Sequence, residues 1–152
     1  MKLAIRADAT QRMGTGHLLR SLALAQGLRN SGWETVHLTY CETAKLIERV
    51  RGEGANVYPL LGNSSNEETM AVLERENPEW VVLDGYHFDI EYQRAIKEAG
   101  YKLLVIDDFA HLDRYHADII LNQNYGAEGF RYSAEPHTKF LLGTEYVLLR
   151  RE

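Results

Sequence analysis

Short apolar runs alternate along this chain with stretches whose apolar positions recur at helical spacing. Leu3 to Asp8 opens as a strand, and Leu18, Leu22, Ala25 and Leu28 then share one face of a helix that Asn30-Ser31-Gly32 stops. The same unit repeats. Glu34 to Tyr40 reads as a second strand, Ala44 to Val50 as a helix ended by Gly54, and Asn56 to Leu61 as a short third strand. Ser64 and Ser65, ahead of Glu67 and Glu68, offer capping boxes for a helix reaching Glu76 and terminated by Asn77-Pro78. Trp80 to Leu83 and Leu103 to Ile106 are continuously apolar, as parallel strands covered on both faces are. Between them Asp89 caps a helix that runs through Glu98 and closes at Gly100. Ile119 to Leu121 and Phe140 to Leu142 are the last strands, with a polar loop from Tyr125 to Thr138 between them. The predicted class is α/β: one Rossmann-like domain over residues 1–152, an open parallel sheet with helices on both faces.

Such a sheet binds its ligands outside the carboxyl ends of its strands. Asp8, Tyr86, His87, Asp107, Asp108, Asn122 and Asn124 all fall just past predicted strand ends. The stretch Gly14-Thr15-Gly16-His17, with Arg20 one turn on, joins them between the first strand and the first helix. Glycines there let the backbone turn tightly and approach a ligand closely. The unpaired amides and positive dipole end of the helix welcome a phosphate or a developing oxyanion. The same positive end disfavours imidazolium, so His17 is expected as a neutral base near pH 7. The alternative is a plain helix start, with Gly14 and Gly16 closing a turn. The stretch is neither a Walker A loop nor a complete dinucleotide fingerprint.

The other rim residues also carry two readings. Asp107 and Asp108 either orient a histidine, hold sugar hydroxyls or bind a metal, or else cap the following turn. Tyr86 either meets a sugar ring or is a half-buried aromatic. Asn122 and Asn124 either bind hydroxyls or satisfy turn backbone. Arg6 either reaches a phosphate or pairs with Asp8. Asp84, Asp118, His87, His111 and His116 supply further metal-type donors, but no compact ligand spacing is present, so neither a metal nor another cofactor is expected.

Composition narrows the classes. With 152 residues, 45% hydrophobic and 26% charged, the chain has the makings of one globular core. The formal net charge of −5 gives no general attraction for nucleic acid or an anionic membrane. No apolar run approaches the ~20 residues of a membrane span. Charge at Lys2 and Arg6 and the lack of a cleavage site predict a cytoplasmic protein. Cys41 is the single cysteine, which excludes an intrachain disulfide.

Several stretches together resemble one family. Arg6-x-Asp8, Gly14-x-Gly16-His17-x-x-Arg20, Asp84-x-Tyr86, Ile106-Asp107-Asp108, Leu121-Asn122-Gln123-Asn124 and Leu141-Leu142-Gly143-Thr144-x-Tyr146-x-Leu148-Leu149-Arg150 stand in the order found in the PseG-type UDP-sugar hydrolases of pseudaminic acid biosynthesis. Related proteins serve spore-coat polysaccharide synthesis (SpsG-like), and the family resembles the two-domain GT-B glycosyltransferases of the MurG type. The resemblance implies metal-free hydrolysis of a UDP-linked 2,4-diacetamido-2,4,6-trideoxy sugar at its anomeric carbon. His17 matches the proposed general base and Tyr86 a residue that contacts the sugar.

Family members are about twice as long, and their second domain carries most nucleotide contacts. The resemblance therefore implies the first half of a GT-B-like enzyme, needing a C-terminal nucleotide-binding domain in cis or in trans and inactive alone. The face left for that domain could also drive self-association. Two other functions fit the same residues: a transferase that passes the sugar to an acceptor hydroxyl, and a non-catalytic binding module.

Overall fold

The computed structural model describes residues 1–62 and 65–151. Its elements in chain order are β1 (Lys2–Ala7), α1 (Gly16–Arg29), β2 (Glu34–Thr39), α2 (Ala44–Gly52), β3 (Asn56–Pro59), α3 (Glu67–Glu76), β4 (Trp80–Asp84), α4 (Ile90–Glu98), β5 (Lys102–Ile106), β6 (Ile119–Asn122) and β7 (Lys139–Leu142). All seven strands form one parallel sheet in the order β3-β2-β1-β4-β5-β6-β7. This is the Rossmann-like sheet that the alternating pattern predicts.

Alternation along each strand divides the core in two. Leu3, Ile5 and Ala7 of β1 face α1 and α2, meeting Leu18, Leu22, Leu46 and Val50. Ala4 faces the other way, with Leu73 of α3 and Tyr92 and Ile96 of α4. Crossovers of one hand place the helices on opposite faces because the strand order reverses at β1. That reversal opens a crevice between β1 and β4 at their carboxyl ends, where doubly wound sheets bind ligands.

The loop into α1 is set by two features. Gly14 has φ +76°, a left-handed conformation that costs other residues about 1–2 kcal/mol. Its amide donates to the Thr10 carbonyl at 2.8 Å, closing a tight turn. The helix begins at Gly16, two residues before the apolar stripe starts, so His17 lies within its first turn.

The caps follow the sequence only in part. Asp89 accepts the Tyr92 amide at 2.9 Å, as its position predicts. Ser64 lies outside the described residues. Ser65 does not cap α3: the N-cap is Asn66, the Ser65 hydroxyl accepts the Glu67 amide, and Glu68 turns back to the amide of Leu61. Asn77 ends that helix at φ +46°, one residue ahead of Pro78.

Candidate active site

Three neighbouring strands end in buried carboxylates, and each carboxylate holds a histidine. Asp8 follows β1, Asp84 ends β4 and Asp107 follows β5, and all three are fully buried. Asp84 Oδ1 lies 2.8 Å from His17 Nδ1, Asp8 Oδ2 lies 2.7 Å from His87 Nε2, and Asp107 Oδ1 lies 2.6 Å from His111 Nδ1. Topology produces this array, because Asp84 and His17 are 67 residues apart in sequence and adjacent across the β1/β4 crevice.

Only one of the three imidazoles offers its second nitrogen to the cleft. Nδ1 of His87 and Nε2 of His111 are buried and without a partner among the described residues. His17 instead lines two adjoining depressions. A carboxylate can only accept, so the His17 Nδ1 carries a hydrogen, and in the neutral ring the lone pair falls on Nε2. The Asp84 carboxylate thus selects the tautomer of the His17 ring.

Arg20 ties this pair to the rest of the rim. Its Nε and Nη2 donate to Asp84 at 2.9 and 2.6 Å, and its Nη1 and Nη2 donate to Asp108 at 2.7 and 3.1 Å. Tyr86 donates its hydroxyl to Asp108 Oδ2 at 2.6 Å and sets its ring edge-on to His17, 4.8 Å between centroids. Burial works to raise the Asp108 carboxyl, but the bonds from Arg20 and Tyr86 and the Arg20 charge outweigh it and hold the group down at about 2. Burial and the Asp108 bond both push the Tyr86 phenol upward, so its hydroxyl stays a donor. With two carboxylates to one guanidinium, the cluster keeps one negative charge in excess.

Around these groups the surface is concave. A depression of about 560 Å³ is lined by Thr10, Arg12, Met13, His17, Tyr86 and His87. A second, of about 330 Å³, lies beside Gly16, Arg20, Asp108 and Gln123, with Met13, His17 and Tyr86 shared between the two. A Cβ added at Gly16 would meet nothing within 4 Å, so the helix terminus faces open space there. The amides of Gly16, His17 and Leu18 precede the first intrahelical bond, Leu19 N–H to the Thr15 carbonyl.

Other residues proposed from the sequence support the site from below. Arg6 is fully buried and bonds to Asp8, Thr69 and Tyr92, so it takes the pairing role and does not reach a phosphate. Asp8 is likewise beneath the surface: burial raises its carboxyl, while His87 and Arg6 more than reverse this. Removing one partner of such a pair leaves a bare buried charge, a loss of about 3–5 kcal/mol. Asp107 is spent on His111, the Ala110 amide and the Tyr132 hydroxyl.

Asn122 is fully buried, donates to the Tyr132 hydroxyl and accepts the Asn124 amide, so it takes the turn-backbone role, the second of its two expected uses. Asp108 accepts four donors, two from Arg20 and one each from Tyr86 and Asn124, so its oxygens are occupied. The same bonds occupy the Arg20 guanidinium, making it a clamp on carboxylates. Thr15 is exposed at the N-cap and makes no side-chain cap bond.

The sequence placed His87 on the rim and Asp84 in the Asp84-x-Tyr86 motif and weighed both as metal donors, but gave neither a role in binding or catalysis. Asp84 sits at a strand end, the signal that selected Asp107, but its histidine partner is visible only once β1 and β4 are known to be neighbours. Among the described residues no three His, Cys, Asp or Glu side chains converge as a metal site would require. No described helix is long and apolar enough to cross a membrane.

The chain is 29% identical over 157 residues to the UDP-2,4-diacetamido-2,4,6-trideoxy-beta-L-altropyranose hydrolase of Campylobacter jejuni, covering all of this chain and 53% of that protein. It is 26% identical over 155 residues to an uncharacterised protein of Methanocaldococcus jannaschii, covering 31% of that protein. MurG of Acinetobacter baumannii shares the fold with a TM-score of 0.60 at 15% identity, over 88% of this chain and 44% of MurG. No family model matches. The chain thus spans about half the length, or less, of these proteins, is related in sequence to a nucleotide-sugar hydrolase, and shares its Rossmann-like fold with part of MurG.

Proposed function

We propose that this chain is the base-bearing half of a UDP-sugar hydrolase, facing a second lobe that holds the nucleotide. The observation that carries the reading is the Asp84–His17 pair with Nε2 directed to the cleft at the mouth of a helix. His17 Nε2 takes a proton from water, the water oxygen bonds to the anomeric carbon, and the carbon–oxygen bond to the diphosphate breaks. The electron pair leaves with UDP. Attack from the face opposite the diphosphate inverts the anomeric centre.

The resulting imidazolium faces the Asp84 carboxylate, whose negative charge stabilises it as it forms. The Campylobacter relative suggests a 2,4-diacetamido-2,4,6-trideoxyhexose as the sugar. A cytoplasmic role in surface or spore-coat polysaccharide synthesis, or in nonulosonic acid synthesis, fits such a substrate.

The test joins this chain to a nucleotide-binding lobe and follows UDP release without any acceptor. His17→Phe is expected to abolish release, and the isolated chain to show negligible turnover. Unchanged release by the His17 variant would refute the base assignment. Release that needs an added acceptor would turn the reading to a glycosyltransferase, with His17 deprotonating an acceptor hydroxyl; nucleotide-sugar binding without turnover would make it a binding module.

A further inference from the structure

We propose that Phe109 is a specificity-determining residue, which with Tyr86 forms an apolar ledge for the methyl groups of a deoxy, N-acylated sugar. The proposal rests on the hydrolase reading and adds to it a reason for choosing among UDP-sugars.

The first observation is the turn after β5. Ala110 has φ +54°, a left-handed conformation that a Cβ makes unfavourable. The turn is held from beneath: the Ala110 amide donates to Asp107 Oδ2 at 2.6 Å, and Asp107 is fixed by Tyr132 at 2.7 Å and His111 at 2.6 Å. Phe109 stands in this held turn, between Asp108 and Ala110.

The second observation is where that ring stands. Phe109 is 49% exposed and Tyr86 45%, and their centroids are 5.0 Å apart with the planes tilted by 58°. His111 flanks both rings, at 5.6 Å from Tyr86 and 5.7 Å from Phe109. Tyr86 lines both depressions beside His17, and Phe109 packs against Tyr86 on the same rim, extending its apolar surface. Two large aromatic faces left in water at the ligand-binding end of a parallel sheet suit a ligand with apolar substituents.

The polar groups beneath the ledge are already paired, since the Tyr86 hydroxyl and the Asp108 oxygens are occupied. The Tyr86 hydrogen is thus already donated, and what the ledge itself adds is the carbon surface of two rings. A hydroxymethyl group or a ring hydroxyl laid on those ring faces would lose water and meet only carbon. The methyl groups of acetamido and 6-deoxy positions lose nothing of the kind.

The experiment compares Phe109→Ala and Phe109→Leu in a two-lobe protein carrying this chain. The substrates are UDP-2,4-diacetamido-2,4,6-trideoxyhexose and UDP-N-acetylglucosamine, which lacks two of the three methyl groups. Burying one methyl group against the ledge is worth about fourfold in affinity. The alanine variant is expected to raise KM for the trideoxy substrate about tenfold, to change KM for UDP-N-acetylglucosamine less than about twofold, and to leave kcat alone. Leucine should restore most of the difference.

Equal losses on both substrates would overturn the proposal and point to a contact with the facing lobe. No loss on either would overturn it as well. If the wild type releases no UDP from either substrate, the hydrolase reading fails by itself. The ledge then still stands or falls on titrating this chain with the free trideoxy sugar, where saturable shifts of the Tyr86 and Phe109 ring protons are expected and their absence overturns it.

Discussion

His37 gives the sharpest physical prediction, because it is a titratable side chain that the fold buries and leaves alone. It lies in the middle of β2 between Ile5 of β1 and Val57 of β3, fully buried, with neither ring nitrogen partnered among the described residues. Burial, helped by the nearby Arg29 charge, pushes its pKa down from 6.5 to about 4. Between those values the unfolded chain binds a proton that the folded chain refuses. Stability is therefore complete above pH 6.5 and is lost progressively as pH falls toward 4. At about 1.4 kcal/mol for each tenfold in proton affinity, the whole interval amounts to about 3 kcal/mol. That is a large part of the ~5–15 kcal/mol that holds a domain together.

The assay is urea unfolding from pH 7 to pH 4, comparing the wild type with His37→Leu. Leucine is close in size, removes two unpartnered nitrogens and does not titrate, so the variant should be at least as stable at pH 7. Its curve should also be flatter by about 3 kcal/mol across the interval. The buried carboxylates do not confuse the comparison. Asp8, Asp107 and Asp108 are held below their ordinary range, so their contributions are lost only below about pH 4, and in both proteins. Parallel curves for the two proteins would show that the folded state takes up the proton readily and that the reasoning about burial is wrong.

Other substitutions separate the layers of the site. Asp84→Asn lets the amide donate to His17 Nδ1 and so favours the wrong tautomer; UDP release by a two-lobe version should fall by about 10³- to 10⁴-fold with little change in fold, and a loss under tenfold would count against the pair. Gly16→Ala adds a methyl group in open space, so unfolding should be unaffected while KM for the UDP-sugar rises. Gly85→Ala is the opposite case, since its Cβ would stand 2.7 Å from His87 Cε1 and 3.0 Å from Phe88 Cε2. Displacing His87 from Asp8 should cost about 1–3 kcal/mol in urea unfolding, and a neutral result would show that this ring has room to move.

The architecture was legible because it rests on local signals. Continuous apolar runs marked β4 and β5, a helical stripe marked α1, and Asp89 marked the start of α4. The rule that ligands meet strand ends then located the rim. Which side chains face the cleft and which lie under it was not legible, because exposure depends on neighbours far off in sequence. Arg6 and Asn122 have the chemistry of ligand contacts, yet Thr69, Tyr92 and Tyr132 cover them. Asp84 looked like one more strand-end carboxylate until the sheet order brought His17 beside it. The start of α1 was misplaced for a simpler reason: Gly16 and His17 belong to the helix but not to its apolar stripe.

The sheet order also has a consequence for how the chain is made. β1 finds one neighbour, β2, within some thirty residues, but its other neighbour begins only at Trp80. Until that segment leaves the ribosome, the strand carrying Arg6 and Asp8 has an open edge, and the ion pair meant for the interior stands at a wet border. The nascent half-sheet is then exposed to pairing with other chains until β4 takes that edge.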